Sequence, residues 1–161
     1  ARLVIQNALF SPFRWLQARL SAVTIPTVIF TDPEVAQVGL TEAAAIAQGY
    51  RYRVIEMPFE RLDRAITDAE TDGYLKLLHD ENSDRILGAT IVAVHAGEMI
   101  SEVTSAIVHR LGLNALSQVI HAYPTQAECL KKAADTYKKT KLTPTTQKLL
   151  KIIYSLTSLF A

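Results

Sequence analysis

The chain has 161 residues, 49% hydrophobic and 20% charged, with a formal net charge of +1. That length suits one domain with a single core, and the balanced charge leaves no basic footprint for nucleic acid. Cys129 is the sole cysteine, which excludes an internal disulfide and any CxxC or CxxxxC redox pair within these residues and points to a reducing, cytoplasmic setting.

Residues 2–20 read as a helix that Pro12 breaks or kinks, with Leu3, Val4, Ala8, Trp15 and Leu16 sharing much of one face. The pattern starts at once, without a cap, as in a segment continuing from something longer. Its apolar run is interrupted by Gln6, Asn7 and Arg14, so it is no signal peptide. No apolar run reaches the ~20 residues of a spanning helix, which argues against a membrane protein. Thr27 to Phe30 reads as a short strand, Asp32-Pro33-Glu34 as a turn, and Val35 to Leu40 as a second strand weakened by Gly39. Thr41 can cap a helix that runs to Gln48 and closes at Gly49. Residues 51–59 alternate as a strand, and Glu60 to Thr71 is charged and irregular, with room for one helical turn.

Gly73 to His79 and Arg85 to Val94 are two further strands, joined by the polar hairpin loop Asp80-Glu81-Asn82-Ser83-Asp84. The second is nearly all apolar, which predicts a central strand covered on both faces. Ala96 to Leu111 is the strongest helix, with Met99, Val103, Ile107 and Leu111 at intervals of four and Gly112 as its stop. A turn of helix at 114–118 leads into His121-Ala122-Tyr123-Pro124-Thr125-Gln126-Ala127-Glu128, followed by a helix from Thr125 to Lys138 and a last one from Pro144 toward Leu159. Strands and helices are largely segregated. The fold class is therefore α+β, an antiparallel sheet of about five strands with helices packed on it.

The segment 121–128 is the richest in chemistry. Thr125-Gln126-Ala127-Glu128 matches a capping box, in which the Thr125 oxygen accepts from the Glu128 N–H and the Glu128 carboxylate reaches back. On that reading Glu128 is structural. On the other, Tyr123 and Glu128 project together into a ligand site. Tyr123 precedes a proline and is biased to extended backbone. The histidines (His79, His95, His109 and His121) lack the spacing of a metal pair, so no metal site is expected. Cys129 has no partner base nearby in sequence and reads as a buried small side chain. The chain has no GxGxxG, GxxxxGK[ST] or GxSxG motif.

Three segments fall in one order. Ile29-Phe30-Thr31-Asp32-Pro33-Glu34-Val35-Ala36-Gln37-Val38-Gly39-Leu40 resembles the FTDPExAxVGLTE segment of the pyridine nucleotide–disulfide oxidoreductases. His95-Ala96-Gly97-Glu98-Met99-Ile100-Ser101-Glu102 is similar to that family's AGEMIxE segment, and residues 121–128 to its HxHPTxxE segment. Together the chain resembles the C-terminal interface (dimerisation) domain of these FAD enzymes, which include glutathione reductase, dihydrolipoamide dehydrogenase and mercuric reductase. Residues 1–22 then correspond to the end of the preceding FAD-binding region, 23–140 to the interface domain and 141–161 to an additional helical tail. The tail's Leu149, Ile152, Ile153, Leu156 and Phe160 can form an apolar stripe.

The resemblance implies a homodimer whose parent enzyme uses FAD and NAD(P), with no cofactor bound by this segment alone. It implies that the signature loop enters the partner's active site. There the family histidine, acid/base for the redox thiol pair, falls at Tyr123, and the glutamate that orients it at Glu128. Pro124 falls at the family's cis proline and His121 at the first histidine of the motif, and these two and Tyr123 are implied to lie near the partner's flavin. Tyr123 departs from the histidine usual there. A phenol with an ordinary pKa of about 10 is a poor proton shuttle at neutral pH compared with imidazole at about 6.5. Tyrosine here is similar to the mercuric reductase branch, yet the cysteine pair of that branch's C-terminus is missing from the tail. The competing expectation is a free-standing α+β module that binds a small ligand or another protein without redox activity.

Overall fold

The computed structural model describes residues 2–143 and 146. A five-stranded, wholly antiparallel sheet has the order β1-β2-β5-β4-β3. Its strands are β1 (Thr27–Ile29), β2 (Glu34–Gly39), β3 (Tyr52–Pro58), β4 (Tyr74–Asp80) and β5 (Ile86–Ala93). The apolar run at 86–94 is the central strand, as its composition predicts. Leu77, Ala89 and Ile91 face the main core, while Leu78 and Leu87 face a smaller cluster on the other side.

The main core lies under two helices, α4 (Ala96–Val108) and α6 (Glu128–Thr140). Helix α4 packs on β2 and β5, and α6 on β3 and β4. Met99, Ile100 and Val103 from α4 and Leu130, Ala133 and Ala134 from α6 are buried there. The smaller cluster is covered by α2 (Glu42–Ala47), whose Ala45 is fully buried. The Thr41 hydroxyl oxygen accepts from the Ala44 N–H at 3.2 Å, and Gly49 takes φ +72°, so this helix starts and stops where its sequence says. Gly39 remains in its strand because it pairs with Gly88. A Cβ on Gly88 would overlap the Leu40 backbone, so the two strands need glycine to approach this closely.

Three expectations change. The N-terminal helix is α1 (Arg2–Leu9) and ends ahead of Pro12; two 3-10 turns, Arg14–Leu16 and Leu20–Ala22, replace its second half. The charged stretch 60–71 is more regular than its composition suggests, with a 3-10 turn at Phe59–Arg61 and α3 at Asp63–Thr67. Phe59, Leu62 and Ala65 anchor it in the core. Helix α4 ends at Val108, three residues earlier than its apolar spacing implies, and Arg110 takes the left-handed φ of +56°. Gly112 does not stop the helix. It lies against the Asp84 carboxylate, where a Cβ would collide. The expected helix from Pro144 lies outside the described residues except at Thr146. Among the described residues no helix is long and apolar enough to cross a membrane.

Candidate functional site

Two carboxylates tie the three sequence segments together. Glu34, at the start of β2, accepts from the Gly97 N–H at 2.8 Å. Helix α4 begins after His95, whose side chain makes no capping bond. Glu34 therefore satisfies a first-turn N–H from 63 positions away and places negative charge at the positive end of the helix. A Cβ on Gly97 would sit 3.2 Å from the Glu34 carboxylate, which explains the small residue there.

Further along α4, Glu102 faces the signature loop. His121 Nε2 lies 3.2 Å from both Glu102 carboxylate oxygens, and the imidazole side chain is only 6% exposed. The Nε2–H donates to the carboxylate whether the ring is neutral or charged. The helical turn α5 (Leu113–Leu116) delivers the chain to this point.

The capping box does not form. The Thr125 hydroxyl donates to the Ala122 carbonyl at 2.7 Å, and its oxygen accepts from no helix N–H. Helix α6 starts at Glu128, and its cap residue, Ala127, offers no side-chain bond. Glu128 thus sits in the first helical turn with its Oε2 buried and unpartnered. Among the described residues, the buried side-chain atoms without a hydrogen-bond partner are His121 Nδ1, Gln126 Oε1 and Glu128 Oε2. All three belong to residues 121–128. Buried polar atoms are normally paired, so this concentration marks the segment as different from the rest of the described chain.

Tyr123 follows the opposite pattern. It is 70% exposed, next to a cis bond to Pro124, and its hydroxyl donates to Asp63 Oδ2 at 2.9 Å. The bond to Asp63 and that residue's charge, then partial desolvation and the charge on Glu128, push the phenol's pKa up from its ordinary value. Nearby Ile120 is 92% exposed. Cys129, one residue beyond Glu128, is fully buried in the core, and burial together with the Glu102 charge pushes its thiol up to about 12. It is protonated and inaccessible at neutral pH, as expected of a structural side chain.

Among the described residues no group of three or more His, Cys, Asp or Glu side chains could hold a metal. An open groove of about 960 Å³ runs past Leu40, Tyr50, Arg85, Ile107 and Arg110, and it contains none of the signature residues. The sequence singles out His121, Tyr123, Pro124 and Glu128 as candidates and does not point to Glu34, Glu102 and Asp63, the carboxylates that the structure places against these segments. Both glutamates lie inside family-like segments, Glu34 in residues 29–40 and Glu102 in residues 95–102. Asp63 lies 60 positions from Tyr123, and no local pattern connects them.

The model of the pyridine nucleotide-disulphide oxidoreductase dimerisation domain matches residues 25–134. A mercuric reductase from Shewanella putrefaciens is 43% identical over 124 residues, covering 76% of this chain and 22% of that protein. A dihydrolipoyl dehydrogenase from Chlamydia muridarum is 43% identical over 104 residues, covering 65% of this chain and 22% of that protein. The chain therefore spans about a fifth of the length of these curated relatives. Among solved structures, the HOCl-induced flavoprotein disulfide reductase RclA from Escherichia coli superimposes with a TM-score of 0.73 at 27% identity, over 83% of this chain and 30% of that one. LpdA from Mycobacterium tuberculosis does so with a TM-score of 0.72 at 26% identity, over 84% and 29% respectively.

Proposed function

Because the chain belongs to the pyridine nucleotide-disulphide oxidoreductase family as its dimerisation domain, we propose that it serves an FAD-dependent NAD(P)H oxidoreductase, mercuric reductase-like or dihydrolipoamide dehydrogenase-like, as the domain that completes its partner's active site. In this reading residues 1–22 close the preceding FAD-binding region, 23–140 form the interface domain and 141–161 are an additional tail. Two copies associate as a cytoplasmic homodimer, and residues 119–128 of each enter the other subunit.

One observation carries the reading. In a chain that matches the family's dimerisation domain, an apolar side chain, Ile120, and a phenol, Tyr123, stand largely exposed within four residues. A second subunit would cover Ile120 and Tyr123. A large apolar side chain and an aromatic ring exposed side by side are what an uncovered interface presents.

FAD, bound by the remainder of the protein, would pass electrons from NAD(P)H to the acceptor. The residues of this chain orient and contact. His121, held by Glu102, fixes the loop; Pro124 sets its turn beside the partner's flavin; Tyr123 reaches the reacting groups. Glu128 keeps negative charge near the phenol, favouring its neutral form. Tyr123 stays protonated at neutral pH, so this site does not use the shuttle of a histidine. Alone, without nucleotide domains, the chain would bind no flavin and show no reductase activity.

The test is Tyr123→Phe in the full-length protein that carries this domain. The fold should be unaffected, because the hydroxyl is exposed and makes a single bond. Turnover or substrate affinity should change. Unchanged values of both remove Tyr123 from the site.

A further inference from the structure

The phenol of Tyr123 is not free to rotate its hydroxyl toward whatever it meets. Its partner is Asp63, the first residue of α3, at 2.9 Å. An ionised carboxylate can only accept, so the phenol must be the donor. Its one hydrogen is then committed, and the lone pairs of the phenolic oxygen point elsewhere. The α3 segment is docked independently of this contact. Leu62 and Ala65 are fully buried, and Lys132 of α6 donates to the Arg61 carbonyl at 3.1 Å. Asp63 is thus held in place whether or not Tyr123 meets it, which is what a fixed anchor for an exposed side chain requires.

We propose that Asp63 is the positioning residue of Tyr123: it takes the phenolic hydrogen, fixes the direction of the hydroxyl, and makes Tyr123 a hydrogen-bond acceptor toward a thiol or other donor in the partner's active site. This rests on the trans-acting role of Tyr123 stated above and says how that role is carried out. The position then receives a hydrogen bond from the reacting group; it does not give one. The negative charges that act on the phenol come from α3 through Asp63 and from α6 through Glu128, and both oppose its ionisation.

The experiment uses the full-length protein with Asp63→Asn, Asp63→Glu, Tyr123→Phe and the Tyr123→Phe/Asp63→Asn double variant. The Tyr123 phenol is followed by NMR of ring-labelled tyrosine, its signal assigned by its loss in Tyr123→Phe. Turnover is followed with NADH or NADPH and 5,5′-dithiobis(2-nitrobenzoate) as the disulfide probe. Asp63→Asn should return the titration of Tyr123 toward the ordinary value of about 10, and Asp63→Glu should keep it raised. Asp63→Asn should slow turnover by about three- to tenfold, because the amide oxygen still accepts the bond but without its charge, and have no further effect in the Tyr123→Phe background. An unmoved titration in Asp63→Asn overturns the proposal, as does an equal loss of turnover when Tyr123 is already phenylalanine. If Tyr123→Phe itself leaves turnover unchanged, the trans-acting role fails, while the titration still decides whether Asp63 holds the phenol.

Discussion

Removing the Glu102 carboxylate tests what holds the signature loop. In Glu102→Ala, His121 loses its only side-chain partner among the described residues, while its imidazole stays 6% exposed and its Nδ1 is already unpartnered. A buried donor left unsatisfied costs about 1–3 kcal/mol. The pair is not deeply buried on the Glu102 side, where the side chain is 32% exposed, and water can partly replace the carboxylate. The middle of that range, about 2 kcal/mol, is therefore expected. For a chain of this size that corresponds to roughly 4–8 °C in melting temperature. Glu102→Gln keeps an acceptor oxygen and should lose less than half as much. Urea denaturation gives the free energies, and the Glu102→Ala/His121→Ala double variant closes the cycle. Coupling of about 1 kcal/mol or more is predicted, since the two residues are in direct contact. Additive single effects would refute the pairing. So would a Glu102→Ala loss with no rise in amide exchange over residues 117–127, because the loss would then lie within α4.

Glu34→Ala should cost about 1–2 kcal/mol, since it removes both the cap and the favourable charge at the start of α4. Glu34→Gln should recover most of this, and equal damage from both variants would mean that the bond to Gly97 is not the cause. Cys129 gives a pH dependence. Its folded thiol titrates at about 12 against an ordinary 9.0, so the folded state holds its proton where the unfolded chain has lost it. The stability it contributes is present below pH 9 and is lost as pH rises toward 12, with a slope of up to about 1.4 kcal/mol per pH unit. Cys129→Ala should flatten the difference in denaturation curves across that window, and identical slopes in the two proteins would show that the thiol is not shielded. The same burial predicts no labelling of Cys129 by iodoacetamide at pH 8 until the protein unfolds.

Local pattern was enough for the sheet and most of the helices. The apolar run at 86–94 could only be a strand with both faces covered, and Thr41 with Gly49 bounded a helix without help from the rest of the chain. Where contacts across the chain decided, local pattern misled. Thr125 and Glu128 have the spacing of a capping box, but the helix starts only at Glu128, after Ala127, and the Thr125 oxygen accepts from no N–H there. The apolar spacing of α4 continues to Leu111, yet the chain has already turned at Arg110. The charged stretch after Phe59 hid α3, because its order comes from Phe59, Leu62 and Ala65 packing in the core and not from helical periodicity. In the candidate site, His121 and Tyr123 stand out in their segment, but their partners do not. Glu102 and Asp63 reach the loop through the tertiary fold, and spacing along the chain carries no trace of that.

The central claim is that each subunit's 119–128 segment completes the site of the other, and hybrid dimers of the full-length protein test it most directly. One subunit carries Tyr123→Ala/Glu128→Ala, and the other carries alanines in place of the redox cysteine pair expected outside this chain. Each homodimer should be impaired in NAD(P)H-dependent disulfide reduction. In the hybrid, the subunit with intact cysteines receives an intact loop from its partner, so one of two sites should work and turnover should recover well above either parent. A hybrid no more active than the average of its parents would contradict the account and place Tyr123 and Glu128 in the service of their own subunit or of none.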